Sequence, residues 1–145
     1  MQRTSLAPAI HLVSSLAALI PPPTRTLYSA SKASSLMLFR ALSIEHPRIS
    51  FSYICPGTIQ GNFRASAVDV IGAQDVLPHG GVRENLEHAM PAIDVARHCI
   101  RMVDEDHRGV DIVPVKYKAA FILSWFIPRW IDKKASQKYA YTPPT

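Results

Sequence analysis

Short apolar runs and helical stripes alternate along this chain. Ala9-Ile10-His11-Leu12-Val13 is an apolar run that stops at Ser14-Ser15, the pattern of a buried parallel strand. Pro21-Pro22-Pro23 forces an extended loop. From Thr26 or Leu27 to Glu45, apolar and small residues such as Ala30, Ala33, Met37, Ala41 and Ile44 recur at helical spacing, and Pro47 ends the helix. Ile49 to Cys55 reads as a second strand that closes on Pro56-Gly57. The stretch from Thr58 to Pro91 is Gly-punctuated and weakly periodic, a long excursion of the kind that is usually functional or mobile. Pro91 suits the first turn of a helix that runs to Met102 or Val103. After Gly109, Val110 to Val115 is a third strand, and from Tyr117 one or two amphipathic helices are expected around Pro128.

Strand, helix, strand, helix, strand predicts an α/β fold on a parallel sheet. Ligands of such sheets bind beyond the strand C-terminal ends. Ser15 and Pro56-Gly57 both sit there, and Tyr28 opens the helix between them. Tyr28-Ser29-Ala30-Ser31-Lys32 places a phenol and an ammonium at i and i+4, on one helical face. An ammonium beside a phenol favours the phenolate, drawing a Tyr pKa down from about 10 toward working pH. That is acid/base chemistry for a carbonyl or alcohol exchanging a proton. A hydroxyl from the first strand end would hold the same oxygen. Strand neighbours point to opposite sides, so Ser14 and Ser15 compete for that place, and the thirteen-residue spacing to Tyr28 favours Ser15.

Composition narrows the class. The 145 residues make about one domain, and 48% hydrophobic with 19% charged residues is globular rather than disordered. Cys55 and Cys99 form no C-x-x-C pair and read as reduced thiols, which favours a cytoplasmic setting. The six histidines lack metal-site spacing, so no metal is expected. Proline and polar residues interrupt the apolar stretch before Ile20, so neither a cleaved signal nor a transmembrane helix is expected. From Val115 onward Lys116, Lys118, Arg129, Lys133, Lys134 and Lys138 face Asp132 alone, an excess equal to the chain's net charge of +5. No nucleic-acid-binding module accompanies them. Interleaved with Phe121, Trp125, Phe126 and Trp130, they read instead as a membrane-surface segment.

Val13-Ser14-Ser15, the Pro-rich loop, Tyr28 to Ala33 and Pro56-Gly57-Thr58-Ile59 together resemble the short-chain dehydrogenase/reductases, over residues 5 to 115. The tail is similar to that of membrane-associated hydroxysteroid and retinoid dehydrogenases. The resemblance implies a partial dehydrogenase domain over 1–115 and a basic-aromatic tail over 116–145. Tyr28 would be the acid/base, Lys32 would lower its pKa and hold the nicotinamide ribose, and Ser15 would orient the substrate carbonyl. Pro56, Gly57, Thr58 and Ile59 would pass beside the nicotinamide. The cofactor implied is NADP or NAD, and the substrate an alcohol or ketone of lipophilic character. A homodimer through the outer face of the Tyr28 helix follows from the same family pattern, as does peripheral contact with the endoplasmic reticulum or another intracellular membrane.

The chain departs from the family in places. Gly61 stands where the family commonly has a Thr, and Ala18 where a Gly is frequent. No G-x-G run occurs anywhere in the 145 residues to seat a pyrophosphate. The fold expected is therefore the C-terminal half of a Rossmann-like doubly wound parallel sheet, with the nucleotide-binding half missing. Its first strand would be an open edge and the chain poorly stable unless a partner supplied the missing half. The functions open at this stage are a short-chain oxidoreductase, a non-catalytic remnant of one, and a membrane-surface interaction protein.

Overall fold

The computed structural model describes residues 7–61 and 89–138. Three parallel strands, β1 (Ala9–Val13), β2 (Ser50–Pro56) and β3 (Gly109–Val113), form one sheet in that order. Ala9 aligns with Ser50 and Val13 with Ile54, while Ser52 aligns with Gly109 and Pro56 with Val113. A 3-10 turn (Leu16–Ala18) follows β1, and α1 (Thr26–Glu45) crosses to β2. Helix α2 (Ala92–Asp104) precedes β3, and α3 (Lys116–Phe126) and α4 (Pro128–Lys138) complete the described chain. The alternation of elements is the one expected from the sequence. Most of the Thr58–Pro91 excursion lies outside the described residues.

Strand β2 is buried along its whole length because helices cover both of its faces. Phe51, Tyr53 and Cys55 point to one side and join Leu36 of α1 and Ile112 of β3 in a core cluster. Ile54 points to the other and packs with Val95 and Met102 of α2 and Val113. A period of two in a strand makes this division automatic. The Tyr53 hydroxyl donates to the Phe39 carbonyl at 2.9 Å and so ties α1 to the sheet centre. The wholly buried Ile54 contributes roughly 1.5–3 kcal/mol by leaving water.

Two boundaries shift from expectation and a third falls on the proline around which the last helices were expected, each for a local reason. Pro91 is the residue before α2, with an extended ψ of 135°, rather than part of its first turn. Met90 pairs with Ile59 in a short bridge, and that extended pairing holds the chain open until Ala92. β3 stops at Val113 because Pro114 has no N–H to continue a ladder. α4 starts on Pro128, where the missing N–H costs nothing.

Asp111 of β3 is buried and gathers its partners from two helices. His98 Nε2 lies 2.6 Å from one carboxylate oxygen and Lys118 Nζ 2.5 Å from the other, while Arg101 donates to His98 Nδ1 at 2.8 Å. Burial alone would raise the Asp111 pKa, but the hydrogen bonds from Lys118 and His98 outweigh it and hold the carboxyl below its ordinary value. This network joins α2 and α3 to the third strand, away from the cleft described next.

Candidate functional site

A cleft of about 590 Å³ opens at the C-terminal ends of β1 and β2. It takes its walls from the loop after β1, the first turns of α1, the Pro56–Gly61 segment and the two last helices. Its size is that of a small-molecule site.

The loop after β1 brings two hydroxyls to the rim. Ser14 continues the parallel ladder, its N–H donating to the Ile54 carbonyl at 2.9 Å. Its side chain turns onto α1 and donates to the Lys32 carbonyl at 3.4 Å, leaving Ser14 buried. Ser15 is half-buried and caps the 3-10 turn, its oxygen accepting from the Ala17 N–H at 3.2 Å. Cys55 lies behind them at the sheet centre; burial pushes its thiol up to about 11, although a Ser14 hydrogen bond opposes the shift. It is a core residue there, not a nucleophile.

Helix α1 supplies Tyr28 and Lys32, both half-buried and both on the cleft wall. The Lys32 ammonium sits 6.0 Å from the centre of the Tyr28 ring and donates to the Val13 carbonyl at 3.3 Å. That bond fixes the charged end of Lys32 against the end of β1. Three residues nominated by the sequence, Ser15, Tyr28 and Lys32, are thus brought to one cavity from two segments.

The third segment is pinned at several points. Gly57 donates to the Val113 carbonyl at 2.8 Å, Met90 to the Thr58 carbonyl at 2.9 Å, and Gln60 to the Met90 carbonyl at 2.9 Å. Pro56, Gly57, Thr58 and Ile59 all line the cleft. A Cβ on Gly57 would meet a Tyr117 ring carbon at 2.7 Å, so the ring of Tyr117 is what presses on this loop. Gly61 adopts a φ of 144°, a left-handed conformation that a Thr there would strain to reach.

The last two helices are the part of the site that the sequence reading did not foresee. Tyr117 and Ala120 of α3, with Trp130, Ile131, Lys134, Ala135 and Lys138 of α4, form the far wall. Lys138 Nζ donates to the Tyr117 hydroxyl at 3.2 Å and reaches the Thr58 hydroxyl at 3.5 Å, and so stitches α4 to the Pro-Gly loop. The signal was present as an i, i+1, i+4, i+5, i+8 stripe on α4, which a helix turns to a single face.

Sequence comparison bears on this cleft directly. Residues 7–70 match the family described as short chain dehydrogenase. This segment is similar to the short chain dehydrogenases. No curated protein matches the chain. The matched segment contains β1, α1 and β2, and with them Ser15, Tyr28, Lys32 and the Pro56–Ile59 loop. The wall built by α3 and α4 lies outside the matched residues. The family is one of oxidoreductases that typically use NAD(P).

Proposed function

We propose that the cleft interconverts an alcohol and a ketone or aldehyde on a lipophilic substrate, with NAD(P) as hydride carrier. The observation that carries this reading is the convergence of Tyr28, Lys32 and Ser15 on one cavity with apolar walls, within a short chain dehydrogenase segment. Tyr28 gives its proton to the carbonyl oxygen in reduction and takes it from the alcohol in oxidation. Lys32, held by the Val13 carbonyl, places its ammonium 6.0 Å from the centre of the Tyr28 ring, where it stabilises the negative charge that develops in reduction. Ser15 supplies a preplaced donor for the oxygen on which charge develops.

The nicotinamide, when bound, supplies the hydride. The cleft suits that end of the cofactor: Lys32, Pro56 and the half-buried Gly57, Thr58 and Ile59 flank an apolar space open beside Tyr28. NADH or NADPH mixed with the full chain and a panel of lipophilic ketones and aldehydes tests the reading through nicotinamide fluorescence. A decay that depends on both protein and ketone is expected. No decay and no fluorescence change on mixing, at millimolar cofactor, would sink it.

A second reading concerns the junction of α3 and α4. Ile122, Leu123, Trp125, Phe126 and Ile127 are exposed there, Trp125 at 77% and Phe126 at 78%, next to Arg129 and Lys133. Large aromatic side chains left in water beside basic ones favour peripheral contact with an anionic lipid surface. No helix among the described residues is long and apolar enough to cross a membrane. The double change Trp125→Ser and Phe126→Ser is expected to release the chain from anionic vesicles in flotation; equal flotation of both proteins would reject the contact.

A further inference from the structure

Arg25 stands one turn before Tyr28 on the cleft wall and is only 8% exposed. Among the described residues no carboxylate and no hydrogen-bond acceptor engages its guanidinium, and its side chain makes no cap to the helix it precedes. A guanidinium keeps its charge at any working pH and carries five N–H donors in a planar fork. The Arg25 stem is buried, but its nitrogens are not among the buried polar atoms that lack a partner, so the fork itself keeps contact with the solvent of the cleft. The other cations of the cleft are differently placed. Lys32 donates to the Val13 carbonyl, Lys138 to Tyr117 and Thr58, and Lys134 lies 5.6 Å from the centre of the Trp130 ring. No Asp or Glu lines the cleft among the described residues. Among the described residues the lining is therefore net positive, and the Arg25 fork meets no counter-charge there.

We propose that Arg25 is the seat for a carboxylate on the substrate, and that the cleft takes an oxo or hydroxy acid with an apolar body. This rests on the reading of the cleft as a substrate site. A carboxylate matches the planar fork with two parallel hydrogen bonds, which a neutral ketone cannot offer. Leu16, Ala17, Ile20 and Pro22 line the same cavity and accommodate the hydrocarbon. Anchoring the acid at Arg25 sets the reacting carbon within the turn that carries Tyr28, so the charge selects the substrate and also orients it. A neutral analogue would leave the guanidinium to the water of the cleft, and the two charge-assisted bonds it forgoes are the source of discrimination.

Calorimetric titration of the full chain with decanoate and with methyl decanoate tests the assignment without turnover. Decanoate is expected to bind about tenfold tighter or better. In Arg25→Met that preference disappears while the affinity for methyl decanoate stays within about twofold, the Met side chain keeping the apolar packing of the stem. Arg25→Lys, which retains charge without the fork, keeps a reduced preference and carries the test if R25M does not fold. Equal binding of the two ligands, binding of neither, or a preference unchanged in both variants overturns the proposal. So does a weakened NADPH affinity in R25M with the decanoate preference intact, which would give the guanidinium to the phosphates of the cofactor. Because binding alone is read, a negative result leaves the oxidoreductase reading standing. Failure of the nicotinamide assay likewise leaves the carboxylate seat standing.

Discussion

Tyr28→Phe is expected to lower turnover of any ketone substrate by about 10²–10⁴-fold, the usual worth of a positioned acid/base. The change removes one oxygen and leaves the ring, so the half-buried packing of the position on the cleft wall persists. Lys32 remains fixed by the Val13 carbonyl, and Ser15 remains bound to the Ala17 N–H. Any carbonyl ligand would still find a donor, but no group in reach to complete proton transfer. The fall should therefore lie in kcat, with decanoate affinity and the thermal midpoint close to those of the unaltered chain. Stopped-flow measurement of nicotinamide oxidation by both proteins, at matched circular dichroism, gives the comparison. Activity of Y28F within a few-fold of the parent would remove Tyr28 from the chemistry and reduce the Tyr-Lys pair to a helical surface feature.

Much of this site was legible because it is local. The strand ends at Ser14-Ser15 and Pro56-Gly57 follow from apolar runs cut short by small or rigid residues, and the Tyr28–Lys32 pair follows from helical spacing. Parallel order then brings those ends to one side of the sheet. Which of Ser14 and Ser15 faces α1 depends on register, which spacing alone does not show: Ser14 bonds to the Lys32 carbonyl and is buried, Ser15 is half-buried, and both line the cleft. The far wall was hidden for a different reason. A stripe of Trp130, Ile131, Lys134, Ala135 and Lys138 has the same composition whether it lies on lipid or closes over protein. In the fold Ile131 is buried and its neighbours line the cleft, while Trp125 and Phe126 at the end of α3 stay in water. One basic-aromatic tail thus divides into two surfaces. Arg25 was silent in the sequence because a charged residue ahead of a helix is ordinarily solvated; only the walls around it make it buried.

Gly57→Ala is expected to cost about 1–3 kcal/mol, the range for overpacking a closely fitted position. The glycine has an ordinary φ, so alanine brings no backbone strain there. The only tight neighbour of the added methyl is the Tyr117 ring, at 2.7 Å and 3.3 Å, with Pro114 Cδ at an ordinary 3.6 Å. The ring has little freedom to withdraw. Its hydroxyl accepts from Lys138, and its body packs against the core cluster around Phe51 and Tyr53. Displacing it would pull α4 away from Thr58, opening the cleft on the side that the Lys138 contacts now close. A double-mutant cycle isolates the contact. In a Tyr117→Ala background the glycine change should cost nothing, and the narrower range of unfolded conformations open to alanine could return about 0.4–1 kcal/mol. Urea midpoints of the four proteins measure the coupling. An equal cost in both backgrounds would mean that the methyl meets something other than Tyr117, and that the Pro-Gly loop is fitted to a ligand rather than to the last two helices. A cost confined to the Tyr117 background makes Gly57 the point of close contact between the matched segment and the wall that encloses its cleft.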